Sequence, residues 1–142
     1  MKMIKTSEKE MLKNVRPDAL PQRRRNATNG RKIYISLPVS GREDEARARA
    51  AEYKKRLKAE GWTPVSPFDI FAGKDPSWAD HIAFDVRTLL HCDAMFCSWD
   101  SSDSPGCRVE HCAVMNWNER TKTHGGEPIR IIYEMSAEGS DR

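Results

Sequence analysis

The chain has 142 residues, 38% of them apolar and 32% charged, with a formal net charge of +3. That length suits one domain with a genuine core, and no apolar run approaches the ~20 residues that a membrane-crossing helix needs. The N-terminal stretch MKMIKTSEKEMLKNVRPDALPQ lacks the apolar segment of a secretory signal, so the expected location is the cytoplasm.

The charge is uneven. Residues 1–32 hold ten Lys or Arg against three acids, a surplus of +7, which leaves −4 for the rest. Residues 1–31 read as a basic, flexible, solvated arm, with a weak helical patch at Met11, Leu12 and Val15 that Pro17 and Pro21 break. Contact with nucleic acid through this arm is the alternative, and Arg23-Arg24-Arg25 is too short to decide it.

The organised part opens at KIYIS (32–36), a β-forming apolar run, followed by the loop LPVSG. Residues 42–60 predict a helix: acids lead, basic residues follow, and Ala46, Ala50, Tyr53 and Leu57 form its apolar stripe. Gly61 ends it, and WTPVS is extended, with Pro64 and Pro67 keeping that strand short or at an edge. The long loop SPFDIFAGKDPSW (66–78) precedes a second helix marked by Trp78, Ile82, Val86 and Leu89, with Asp85 at the border of that stripe. AMFCSW (94–99) is the next strand and DSSDSPG (100–106) its loop. A third helix runs from Cys107 to about Glu119, THGGEP is a turn, IRIIY (129–133) a last strand, and residues 135–142 a tail.

Strands alternating with helices predict an α/β, Rossmann-like (flavodoxin-like) parallel sheet of four to five strands flanked by helices, within a domain spanning 32–134. Ligands of such sheets bind beyond the carboxyl ends of the strands. There, Ser36, Ser40, Gly41 and Arg42 make either an anion-binding helix mouth or an ordinary capped helix start. Neither G-x-G-x-x-G nor a G-K-[ST] loop is present. Asp103, Ser104 and Gly106 form a second polar rim.

In the third helix Val109, Cys112 and Ala113 look like the buried stripe, yet Glu110 falls between Trp117 and Val114 on the apolar side. A carboxylate at the margin of a core is costly unless something uses it. Asp85 and Glu110 either divide labour as acid and nucleophile or pair with Arg or His at helix ends. The cysteines at 92, 97, 107 and 112 are expected to be reduced and mostly buried. Their spacings fit no zinc pattern, and neither metal nor cofactor is expected. Cys107, in a first helical turn, is a candidate for a lowered thiol pKa, with no base obvious beside it. Phe68 and Trp99 either stack a base or fill the core.

Three stretches in order, KIYISLPVSGRED (32–44), DVRTLLHCDAMFCSW (85–99) and SPGCRVEHCAVM (104–115), resemble the nucleoside 2-deoxyribosyltransferase superfamily. Within it the chain is most similar to the 2′-deoxynucleoside 5′-monophosphate N-glycosidases and to short bacterial and phage relatives. The resemblance covers about residues 32–134. It implies that Glu110 is the nucleophile that forms a glycosyl ester and that Asp85 is the acid that helps the base depart. It also implies an aromatic near the substrate at Tyr34, and a phosphate-accepting Ser104 where the transferases carry Asp, although Asp103 lies next door. Arg108 stands where the family often has Gly, and His111 where it has a small residue. The implied activity is hydrolysis of a (deoxy)nucleoside 5′-monophosphate by a homodimer or larger homo-oligomer. Base exchange and non-catalytic nucleotide sensing are the alternatives.

Overall fold

The computed structural model describes residues 30–135. The arm expected at 1–31, with its helical patch, therefore lies outside the described residues except for Gly30 and Arg31, as does the tail beyond Met135. Four strands, β1 (Lys32–Ser36), β2 (Thr63–Val65), β3 (Ala94–Cys97) and β4 (Arg130–Tyr133), form one sheet in the order β2-β1-β3-β4. Every pairing is parallel. Three helices cover it: α1 (Glu43–Ala59), α2 (Trp78–Leu89) and α3 (Pro105–His124). The fold is the Rossmann-like α/β arrangement, with four strands.

The period of two along β1 divides the core. Ile33 and Ile35 face α1, where Ala46, Ala50, Tyr53 and Leu57 complete one apolar layer with Phe96 and Trp62. Tyr34 faces the other way, into a layer with Leu89, Met95 and Val114 under α2 and α3. Because β1 pairs with β2 on one side and β3 on the other, the loops leaving β1 and β3 diverge to opposite faces of the sheet. A crevice opens at that switch point, beyond the strands' carboxyl ends.

The boundaries show which local signals govern. β3 stops at Cys97, short of the expected Trp99, because Ser98 and Asp100 turn into a short 3₁₀ segment at Ser101–Asp103. α3 is longer than expected at both ends. Ser104 caps it, its side chain accepting from the Cys107 N–H at 3.3 Å, and Pro105 takes the first helical position, where no N–H is needed. It continues to His124, where Gly125 turns the chain at φ 81°. Asn118 then holds the return to β4, with its amide donating to Ile129 O at 2.8 Å and its Oδ1 accepting from Ile129 N at 2.7 Å.

No helix among the described residues is long and apolar enough to cross a membrane.

Candidate active site

Once Ser104 fixes the start of α3, the helical period places Cys107, Glu110 and Val114 on the sheet side. This corrects the expected stripe: Val109 and Cys112 are exposed, and Glu110 sits at the centre of the buried face rather than at its margin. Glu110 is 4% exposed. Its Oε2 accepts from the Tyr34 hydroxyl at 2.7 Å and its Oε1 from Ser36 Oγ at 2.7 Å. Tyr34 and Ser36 are two apart on β1 and so share one face; a single strand thereby holds both carboxylate oxygens.

Asp85 comes from α2, where it and Leu89 are the buried residues. It too is deeper than expected. Trp78, the first residue of the predicted stripe, is 52% exposed, whereas Asp85 is 7% exposed. Tyr34 also lies near enough to Asp85 to influence its ionisation. Burial raises both carboxyls. Glu110 is pushed to about 7, with the Ser36 and Tyr34 hydrogen bonds opposing the rise and the Asp85 charge adding to it. Asp85 is pushed to about 6, against the charge of His81 and the Tyr34 hydrogen bond.

The two acids border one cavity of about 500 Å³. Ser40, Phe68, Ser104 and Gly106 line it as well. Gly106 lets α3 approach α2, because a Cβ there would lie 3.2 Å from Ile82 Cδ1. Tyr34 and Ser36 stand behind Glu110 rather than on the wall.

The remaining expected residues lie elsewhere. Gly41 and Arg42 are exposed and absent from the cavity wall, and Arg42 turns to Asp100 at 3.6 Å. Neither alternative for that helix mouth fits well: Arg42 makes no side-chain cap, and Glu43, Asp44 and Glu45 already occupy the positive end of the dipole. Asp103 is exposed on its 3₁₀ turn, so the acid next to Ser104 does not face the cavity. Trp99 is half exposed and neither core nor cavity wall. The Cys107 thiol is raised to about 11 by burial, the reverse of the lowered value expected from its helical turn. All four cysteines are free, and Cys112 is the exposed one. Among the described residues no group of three or more His, Cys, Asp or Glu is placed to hold a metal ion.

Glu43, Arg47, Trp78 and His81 also line the cavity, although Trp78 reads from sequence only as part of a helix stripe and the other three carry no site expectation. The Arg47 guanidinium lies 4.4 Å from the centre of the Phe68 ring. Their spacing carries a signal in hindsight. Glu43 and Arg47 are one turn apart on α1, and His81 and Asp85 one turn apart on α2, so each pair faces one way.

Residues 31–119 match a protein family described as a domain of unknown function, DUF4406. No curated protein matches the chain.

Proposed function

The chain belongs to the DUF4406 family, and we propose that it hydrolyses the N-glycosidic bond of a (deoxy)nucleoside 5′-monophosphate through a glycosyl ester on Glu110. The observation that carries this reading is the hold on Glu110: a buried carboxylate, one hydroxyl donor on each oxygen, facing a cavity that a second buried carboxyl shares. A structural ion pair would place a cation against Glu110; here hydroxyls bind it and the open side is a cavity.

In the proposed reaction a Glu110 oxygen attacks the anomeric carbon as the bond to the base nitrogen breaks. The electron pair of that bond leaves with the base, which takes the Asp85 proton. Water then attacks the same carbon, Asp85 accepts its proton, and the ester's electron pair returns to Glu110. This division needs the charge on Glu110 and the proton on Asp85. Their raised values, taken alone, would protonate Glu110 first. The two hydroxyl hydrogen bonds already oppose the rise of Glu110, and positive charge developing on the sugar in the transition state would draw the negative charge to the Glu110 oxygen.

The walls bear on the substrate. Phe68 and Trp78 offer flat apolar surface for a base. Ser104 accepts from Cys107 N and keeps its own hydroxyl proton to donate to a phosphate, where a carboxylate would repel one. With Asp103 turned away, a 5′-monophosphate fits better than a free 5′-hydroxyl.

The test is release of free base from a panel of nucleoside and deoxynucleoside monophosphates, followed by chromatography. Release is expected from the wild type and abolished in Glu110→Ala. Release that survives the substitution removes Glu110 from the mechanism. Reaction only when a second base is supplied assigns base exchange instead, and binding without release assigns a sensor.

A further inference from the structure

A second cavity, of about 460 Å³, shares no lining residue with the one that Glu110 borders. The same two segments wall both. The loop after β2 gives Pro67 and Phe68 to the first cavity, and Ile70 and Phe71 to the second. Helix α2 turns Trp78, His81 and Asp85 to the first, and Phe84, Arg87 and Thr88 to the second. At 100° per residue these two stripes lie about 100° apart round the helix. Lys32, at the start of β1, and His91, one turn beyond Arg87, complete the second wall.

That wall is aromatic and cationic. Phe71 is 78% exposed and Phe84 39%, two rings left to solvent on one small cavity. Its volume falls in the range of roughly 300–1,000 Å³ that small ligands occupy. No Asp or Glu lines it, and among the described residues neither Lys32 nor Arg87 is paired with an acid. Asp93 is off the wall, and its Oδ2 accepts from the Lys32 backbone N–H at 2.9 Å. Bare carbonyls at the end of α2 would repel an anion, but they are taken. Arg87 O meets His91 Nδ1 at 2.8 Å, Thr88 O accepts from His91 N–H at 3.0 Å, and Leu89 O from Cys92 N–H at 2.9 Å. The Cys92 thiol donates to Thr88 O at 3.4 Å, and burial pushes it up to about 11. The wall is therefore built to hold a molecule rather than to react with one.

We propose that this second cavity binds a small aromatic phosphate, its ring against Phe71 and Phe84 and its dianion on Lys32 and Arg87. Two unspent cations match two negative charges, and the exposed rings gain cover. The site stands independently of the hydrolysis proposed for the Glu110 cavity.

Phenyl phosphate titrated into the full chain tests this, followed by calorimetry and by amide NMR shifts, with benzyl alcohol and inorganic phosphate as controls. Saturable binding is expected, with a Kd on the order of a millimolar or below, and with shifts at Ile70, Phe71 and residues 84–92. Lys32→Gln and Arg87→Gln are each expected to weaken it about fivefold or more, and the double variant to abolish it. Phe71→Ser is expected to weaken it about threefold. Lys32, Phe71 and Arg87 are exposed, so the variants are expected to melt as the wild type does. Absence of saturation overturns the proposal, as does affinity that the double variant leaves intact. Equal binding of benzyl alcohol removes the anion from recognition, and equal binding of inorganic phosphate removes the ring; either result overturns it. Shifts confined to Ser104, Gly106 and Glu110 would place the phosphate in the first cavity and overturn it as well.

Discussion

The Tyr34 hydroxyl donates to Glu110 Oε2 at 2.7 Å across 76 positions of sequence. The contact depends on β1 and α3 lying face to face, and it joins a fully buried phenol to a carboxylate that is itself buried beside the cavity. Tyr34 is fully buried, and its own ionisation is pushed well up, first by burial and then by the Glu110 and Asp85 charges. It therefore remains a donor across the working pH range.

Removing that donor tests its role. Tyr34→Phe deprives Glu110 of one of two hydrogen bonds that favour its ionised form, so its pKa rises further. Under the proposed hydrolysis, the acidic limb of the pH–rate profile is expected to move up by about one unit, with a rate loss on the order of tenfold. Ser36→Ala acts in the same direction through Oε1. A profile that keeps its shape in both variants would show that the hydroxyls do not tune Glu110.

Stability should depend on pH in a direction set by the same groups. Glu110 stands at about 7 in the folded chain against 4.5 ordinarily, and Asp85 at about 6 against 3.8. Both are raised on folding, so their contribution is intact below the ordinary values and is lost as pH rises through the folded ones. For Glu110 the linkage amounts to about 3 kcal/mol between the acid side and pH ~8. Urea unfolding is expected to give a more stable protein near pH 5 than near pH 8. Glu110→Gln is expected to flatten that slope and to raise stability at the alkaline end while removing the proposed activity. A more stable wild type at the alkaline end would contradict the burial of these carboxyls.

Much of the architecture is legible in the sequence because it rests on short-range signals. KIYIS, the acid-to-base gradient along α1 and Gly61 at its end each act within a few residues. The depth of Glu110 is hidden in the sequence because Val109, Cys112 and Ala113 look like a core stripe, whereas the sheet lies under Cys107, Glu110 and Val114. Hydrophobicity alone cannot tell an inward stripe from an outward one when a helix carries both. Arg47 and His81 look like ordinary surface residues, and only the meeting of the N-terminal turns of α1 and α2 beyond the strand ends brings them to one cavity. Arg42 looks like an anion ligand until Asp100, far off in sequence, offers it a partner.

Gly106 gives a prediction about the shape of the cavity. Its missing Cβ lets the first turn of α3 pack on Ile82. In Gly106→Ala the contact at 3.2 Å must open by a few tenths of an ångström, at a cost of about 1 kcal/mol. Ile82→Val in the same chain removes the colliding methyl group, so the pair is expected to lose less stability than the two single changes added together. Thermal melts of the four proteins form the cycle, and strict additivity would mean that the two helices do not press on each other here.

Asp100 sets the last expectation. It is 5% exposed, and Arg49 grips it with two bonds of 3.0 and 2.8 Å while Ser98 Oγ donates at 2.9 Å. Burial alone would raise its pKa, but Arg49 and Ser98 hold it below the usual carboxylate range. Arg49→Met leaves a buried carboxylate facing only Ser98 and the looser Arg42, and is expected to cost about 3 kcal/mol. Arg42→Ala, which removes a half-exposed partner at 3.6 Å, is expected to cost under about 1 kcal/mol. The sign with pH is opposite to that of Glu110: a lowered carboxyl contributes above its ordinary value and loses that contribution as pH falls, so Arg49→Met should destabilise less at pH ~3 than at pH ~7. The change should also reach the cavity. Asp100 O accepts from Asp103 N at 3.1 Å and so starts the 3₁₀ turn that delivers Ser104 to α3. If Ser104 receives a phosphate, Arg49→Met is expected to raise KM for the monophosphate more than it lowers kcat, and equal destabilisation by the Arg42 and Arg49 variants would refute the role assigned to this latch.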